Sequence, residues 1–176
     1  MFYWMKPLPP AEIDHSKAVP FIHNEWFRNH FMIFVYILQG SLLLASILVG
    51  AWRFTNLFVE IGLYALVFLI HECLHILVVF RRGDLSITHS GIFFWLNSDA
   101  RMSKLRFLTF MSLPLVVLTV VPAIVMYLPV CPAELVPLLK FVAWINAIIA
   151  GADIINAPLI LIKPAKAVFH RGFYTV

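Results

Sequence analysis

Residues 71–75 read His-Glu-Cys-Leu-His. On a helix, positions four apart share a face, so the imidazoles of His71 and His75 can reach one metal ion. Glu72, one position round, can approach a water on that ion as a general base. The pattern lies inside an apolar stretch. There, an unpaired ionisable side chain costs at least about 2.5–3.5 kcal/mol at the bilayer centre. Three such residues within five positions need a compensating partner, and a dication is the natural one. Catalytic zinc takes three protein ligands in a tetrahedral arrangement and leaves a fourth position for water.

A third ligand must come from elsewhere. Val78 and Arg81 stand where an extended metzincin pattern would place Gly and His. The one later glutamate, Glu134, falls in an expected loop on the opposite side. Asp153 is the single acidic residue of the last apolar stretch. His71 lies ten residues before Arg81, and Asp153 lies ten before Lys163. At 1.5 Å per residue, both groups should sit about 15 Å from the same boundary. Asp84, His89 and Asp99 belong to a loop and His170 to the tail, so none meets that condition. Asn146 precedes Asp153 by seven residues, two helical turns, and should share its face. It is a candidate for holding a substrate carbonyl or a developing oxyanion, or for a hydrogen bond between helices. Asn156 is a weaker candidate of the same kind. Tyr64 and Glu60 fall on the His71 face, and Cys73 points away from it. Ala147, Ala150, Gly151 and Ala152 would let another helix approach closely. Pro114 and Pro122 free backbone carbonyls in the third apolar stretch and invite kinks.

The elements that must position these residues follow from composition. Of 176 residues, 62% are hydrophobic and 12% charged, and mean hydropathy is +0.91. Soluble domains carry roughly 45–50% apolar and about 25% charged residues, so a water-soluble monomer and a nucleic-acid-binding module are excluded. Two cysteines, Cys73 and Cys131, are too few for a disulfide framework. Four stretches are long and apolar enough for a bilayer-spanning helix of about 20 residues: Phe31–Trp52, Leu57–Phe80, Phe107–Val130 and Pro137–Ile162. The fold class expected is all-α integral membrane, with a possible short β-hairpin between the second and third helices. Residues 1–30 form a leader, 31–162 the four-helix domain and 163–176 a tail. Within the leader, Phe21–Phe31 reads either as a helix lying in the headgroups or as a loose tail.

Leader, central loop and tail hold eleven of the thirteen Lys and Arg residues, and only Arg53 and Lys140 fall on the other side. The positive-inside rule therefore places both termini in the cytosol. In the loop, Asp84–His89 alternates polar and apolar residues, Ser90-Gly91 is a turn signal and Ile92–Leu96 is β-prone. That pattern fits a hairpin, with insertion of Phe93, Phe94 and Trp95 into the headgroups as the alternative.

The HExxH in one apolar span, with an aspartate in a later one, resembles the site-2 protease class of intramembrane zinc metalloproteases. The size and layout look closer to a family of small membrane proteins grouped as zincin peptidases. In that family the HExxH precedes a short loop, a Pro-containing span like Met111-Ser112-Leu113-Pro114 and a last span with Asn and Asp. The resemblance covers roughly Leu57–Ile162. It implies His71, His75 and Asp153 as zinc ligands and Glu72 as the base. The expected activity is peptide-bond hydrolysis in a membrane-associated substrate, through a zinc-activated water, in a prokaryotic cell membrane. The partners expected are membrane lipid and a membrane-protein or peptide substrate, with no nucleic acid and the oligomeric state open. Asp84–Leu96 could pair with an extended substrate by strand addition. The rival readings are a proton- or metal-handling membrane protein, in which buried His, Glu and Asp form a relay or bind haem, and a non-catalytic scaffold.

Overall fold

Asn24 opens the first long helix. Its Oδ1 accepts from the Phe27 amide at 2.9 Å, and Glu25 places a carboxylate in the first turn, so both the orphan amides and the helix dipole are served. Helix α1 therefore runs Glu25–Leu48, starting six residues before the predicted Phe31. Most of the stretch expected as a separate interfacial helix or loose tail belongs to its first turns. Asn56 caps α2 (Leu57–Val79) in the same way, its Oδ1 accepting from Phe58 at 2.9 Å. This computed structural model describes residues 1–11, 16–52, 56–90 and 93–176. The predicted far-side Arg53 lies outside those residues, as do the side chains of Phe93, Phe94 and Trp95.

The last two spans are less regular than expected. Helix α3 (Lys104–Leu115) passes through a π-helical turn at Val116–Val120 into α4 (Val121–Val125). The wide turn lies between Pro114 and Pro122, neither of which has an amide hydrogen to donate to the helix ladder. A 3₁₀ turn at Ala133–Leu135, with Glu134 exposed, leads into α5 (Val136–Ile149). The single helix expected over Pro137–Ile162 is broken at Ala150. There α5 meets α6 (Gly151–Leu161) at an angle of 65°.

Three helices, Glu25–Leu48, Leu57–Val79 and Lys104–Val125, are long and apolar enough to cross a bilayer, and the bent pair makes a fourth if counted as one span. Their outer faces are apolar and open: Leu48 is 77% exposed, Phe58 83% and Leu77 66%. Surface of this kind on so many turns suits lipid and not water.

The all-α expectation needs one correction, because the chain also builds two small sheets. The predicted hairpin is present as β3 (Leu85–Ser90) and β4 (Phe93–Ser98), paired antiparallel with Leu85 opposite Ser98. β1 (Phe2–Trp4) lies parallel to β3 on its other side. A second sheet runs in the order β2 (Val19–Pro20), β7 (Phe173–Thr175), β6 (Val168–His170) and β5 (Met102–Ser103). Arg171 and Gly172, at φ 45° and 78°, turn β6 into β7, the paired positive angles of a type I′ turn. These strands are two or three residues long and pair with distant segments, so no local pattern announces them.

Packing then sets the helices around the His71 region. Val67 of α2, Leu118 of the π turn, and Phe141 and Ile145 of α5 form one buried cluster. Val79, Leu85, Met102 and Phe110 form another, which seats the hairpin against α2 and α3. Phe21, Ile160, Phe169 and Tyr174 join leader, α6 and tail.

Candidate metal centre

His71 and His75 stand one turn apart on the inner face of α2, both buried. Their Nε2 atoms are 3.0 Å apart. Asp153, in the first turn of α6, brings Oδ2 to 3.4 Å from His71 Nε2 and 3.2 Å from His75 Nε2. The depth-matched aspartate thus meets the two histidines. Cys73 faces outward and is exposed. Asp84 bonds instead with the Met1 amino group and Tyr3, and His170 with Asp99.

Hydrogen bonding fixes which imidazole nitrogen carries the proton. His75 Nδ1 lies 2.6 Å from the Phe110 carbonyl, which can only accept, so Nδ1 donates. That carbonyl is four residues before Pro114, the partner a helical amide at Pro114 would have used. The proline therefore leaves free the group that orients His75. His71 Nδ1 lies 2.9 Å from Asn146 Oδ1. Asn146 Nδ2 donates to the Pro114 carbonyl at 3.0 Å and to Thr119 Oγ1 at 2.9 Å, while the Thr119 hydroxyl donates to the Ala143 carbonyl at 3.1 Å. With its nitrogen so engaged, Asn146 presents its oxygen to His71, and His71 Nδ1 is the donor.

Both Nε2 lone pairs and the Asp153 carboxylate consequently point at one spot. Asp153 Oδ2 is the buried side-chain polar atom that finds no hydrogen-bond partner among the described residues. With both imidazoles in the Nδ1–H form, three acceptors converge, an arrangement that a cation between them satisfies. Ligands held at the usual zinc distances of about 2.0–2.2 Å in a tetrahedron lie about 3.3–3.6 Å apart, within a few tenths of an ångström of the separations seen. The donor set, two neutral imidazoles and a carboxylate, is one that catalytic zinc accepts. The residues present fit the ion.

These groups line a cavity of about 610 Å³, together with Glu72, Tyr64 and Asn156. A second cavity of about 520 Å³ lies against the sheets and shares Leu96, Phe110 and Met111 with the first. Asn146 reaches the site from α5, and Asp153 reaches it from α6 beyond the break. The shared face expected from a seven-residue spacing in one helix is therefore not the reason they meet. Both ends of the Asn146 amide are engaged in contacts between helices, the alternative weighed for it. The Phe110 carbonyl, Thr119 and Gln39, which also lines the cavity, carry no sequence signature of a site. The spacing to Pro114 could have found the Phe110 carbonyl, and an amide inside an apolar span could have found Gln39; nothing in the sequence marks Thr119.

Residues 64–168 match the profile of the family described as "Putative zincin peptidase", more than half of the chain. The chain belongs to this family. The match takes in His71, Glu72, His75, Asn146 and Asp153 and ends within β6. That description points to a metallopeptidase, and the donor set just described is in keeping with it. No curated protein and no solved structure matches the chain significantly.

Proposed function

We propose that this chain is an intramembrane metalloprotease of the site-2 protease type, hydrolysing a peptide bond of a membrane-associated substrate. The observation that carries the reading is the convergence of His71, His75 and an Asp153 oxygen that makes no hydrogen bond among the described residues inside helices whose outer faces are apolar. His71, His75 and Asp153 are the ligands in this reading. Zinc held by these residues would supply Lewis-acid polarisation and lower the pKa of a water there to about 7. Glu72 lines the same cavity. It takes a proton as water adds to the scissile carbonyl and returns it to the leaving amine. Asn146 holds His71 in its Nδ1–H form, and the Phe110 carbonyl does the same for His75. Asn156, also on the cavity wall, replaces Asn146 as the candidate for contact with substrate.

The surroundings suit a peptide. The second cavity touches Leu96, Asn97 and Ser98 in sequence. Successive side chains of a strand point to opposite faces, so a cavity touching three in a row reaches the strand's edge. β4 is an edge of its sheet, and an extended substrate added there would lie beside the metal cavity. Both termini are assigned to the cytosolic face. The sheets support one shared side, because they bond leader, central loop and tail to one another; the basic residues gathered there make it the cytosolic one in this reading.

Metal analysis of the purified protein and the Glu72→Gln variant test the reading together. Wild type should hold about one zinc per chain and cleave a membrane-anchored peptide library. Glu72→Gln should keep the zinc and the thermal stability and lose about 10²–10⁴-fold in turnover. A wild type free of zinc, or a zinc-replete Glu72→Gln protein with undiminished activity, would sink the protease reading; the second result would favour a scaffold.

A further inference from the structure

Gln39 is an amide in the middle of α1, and α1 carries none of the three metal-site residues. Its Nε2 donates at 3.0 Å to the carbonyl of Ile148. In an unbroken helix that carbonyl would accept from the amide four residues on, at Ala152. At the break, Ala150 bonds back to Asn146 at 2.8 Å and Ile154 to Ala150 at 2.9 Å, with the 65° bend between. Gln39 therefore ties α1 to a carbonyl in the last turn before the bend, and that carbonyl partners an amide that would otherwise be stranded in an apolar span. The fit is close. A Cβ placed on Gly151 would meet Gln39 Cγ at 2.7 Å and Cδ at 3.3 Å, so α1 can seat its amide only because residue 151 has no side chain.

Asp153 stands two residues beyond Gly151. The angle at the break decides where the first turn of α6 points, and so whether the Asp153 oxygen faces the two imidazoles. We infer that Gln39, together with Gly151, is a positioning device for Asp153: it holds the bend of the last span at the angle that completes the metal centre. This inference rests on the metal-centre reading above. Gln39 lies outside residues 64–168 that match the family, so α1 acts here on a site built by α2 and α6.

The test is zinc affinity, measured by chelator competition on full-length protein, with the cobalt-substituted visible spectrum as a second readout. Gln39→Met keeps the length of the side chain and removes the donor. It should weaken zinc about 10–100-fold, the usual cost of losing a group that orients a ligand, and alter the cobalt spectrum. In an Asp153→Ala background the same change should add little. Gly151→Ala probes the seat from the other side, should Gln39→Met fail to fold. It should weaken zinc in the wild-type background, yet add little to Gln39→Ala, which lacks the Cγ the new methyl would strike. Zinc affinity in Gln39→Met within about twofold of wild type, well below that range, would overturn the inference. So would equal losses from Gly151→Ala in both backgrounds. A wild type that binds no zinc fails the metal reading itself, whereas a zinc-binding wild type with an indifferent Gln39→Met fails only this step.

Discussion

Asn146 shows how much of the site's chemistry lies one bond away from the ligands. One side chain sets the orientation and protonation of His71 and ties α5 to α3 and the π turn through Pro114 and Thr119. Asn146→Ala should leave His71 Nδ1 without an acceptor and weaken zinc by about 10–100-fold. The protein should also lose about 1–3 kcal/mol of stability, because buried donors and acceptors are left unpaired. Asn146→Asp keeps an acceptor for His71 and should lose less zinc affinity than Asn146→Ala. Parallel zinc titrations of the two variants check this, and wild-type affinity in Asn146→Ala would remove the orienting role.

At the scale of elements, the irregularities of α3 and of the last span face the metal centre. Pro114 frees the Phe110 carbonyl for His75, and the bend at Ala150 turns Asp153 inward. Pro114→Ala restores an amide that competes with His75 for that carbonyl. A proline inside a helix costs about 3 kcal/mol, so the metal-free variant should be at least as thermally stable as wild type. Its zinc affinity should nonetheless fall about 10-fold, since the imidazole loses its fixed partner. Calorimetry of the metal-free protein and a zinc titration together read the two effects. A variant that is more stable and binds zinc equally well would show the proline to be incidental. The hairpin was legible because β3 and β4 are adjacent, alternate in polarity and flank a turn signal. The break at Ala150 was not, because small apolar residues are as compatible with a straight helix as with a bent one.

At the scale of the whole molecule, two small sheets bond leader, loop and tail to one another, and the ends of the helices are clamped across elements. Lys104 Nζ caps α6 through the Leu161 and Lys163 carbonyls at 2.7 and 2.5 Å. Lys140 Nζ caps α1 through the Val49 carbonyl at 2.5 Å. In a background with Cys73 and Cys131 replaced by Ser, Arg82→Cys and Lys166→Cys should label from one side of the membrane and Glu134→Cys from the other. Labelling of Arg82→Cys and Glu134→Cys from the same side would end the four-span arrangement. Asp99 joins loop to tail by accepting from His170 Nε2 and Arg171 Nε, both at 2.7 Å. Burial pushes its carboxyl upward, but the hydrogen bonds from His170 and Arg171 and their nearby charges outweigh it and hold the group below its usual value. A carboxyl depressed in the folded state takes up protons on unfolding, so its stabilising effect is complete above the usual carboxylate value of about 3.9. The effect fades as pH falls from there through the depressed value. Asp99→Asn should lower the thermal midpoint near neutral pH and narrow the gap from wild type below about pH 4; parallel curves at all pH values would show that the clamp does not act through this charge.

The sequence by itself determined the spacing that puts His71 and His75 on one helix face, the four apolar stretches, the hairpin and the place of Asp153 along the last stretch. Each of these follows from a local rule: helical spacing within residues 71–75, a run long enough to span a bilayer, alternation beside a turn, and rise per residue counted from a basic boundary. Tertiary structure alone decided what holds those groups in place. Asn146 meets His71 across 75 positions, the Phe110 carbonyl meets His75 across 35, and Gln39 meets Ile148 across 109. β1 and β2 pair with strands elsewhere in the chain. Periodicity tells which side of a helix is apolar, but in a span that is apolar all round it does not tell which turn of which neighbour lies opposite. Only the packed bundle assigns the partners that turn three acceptors into one site.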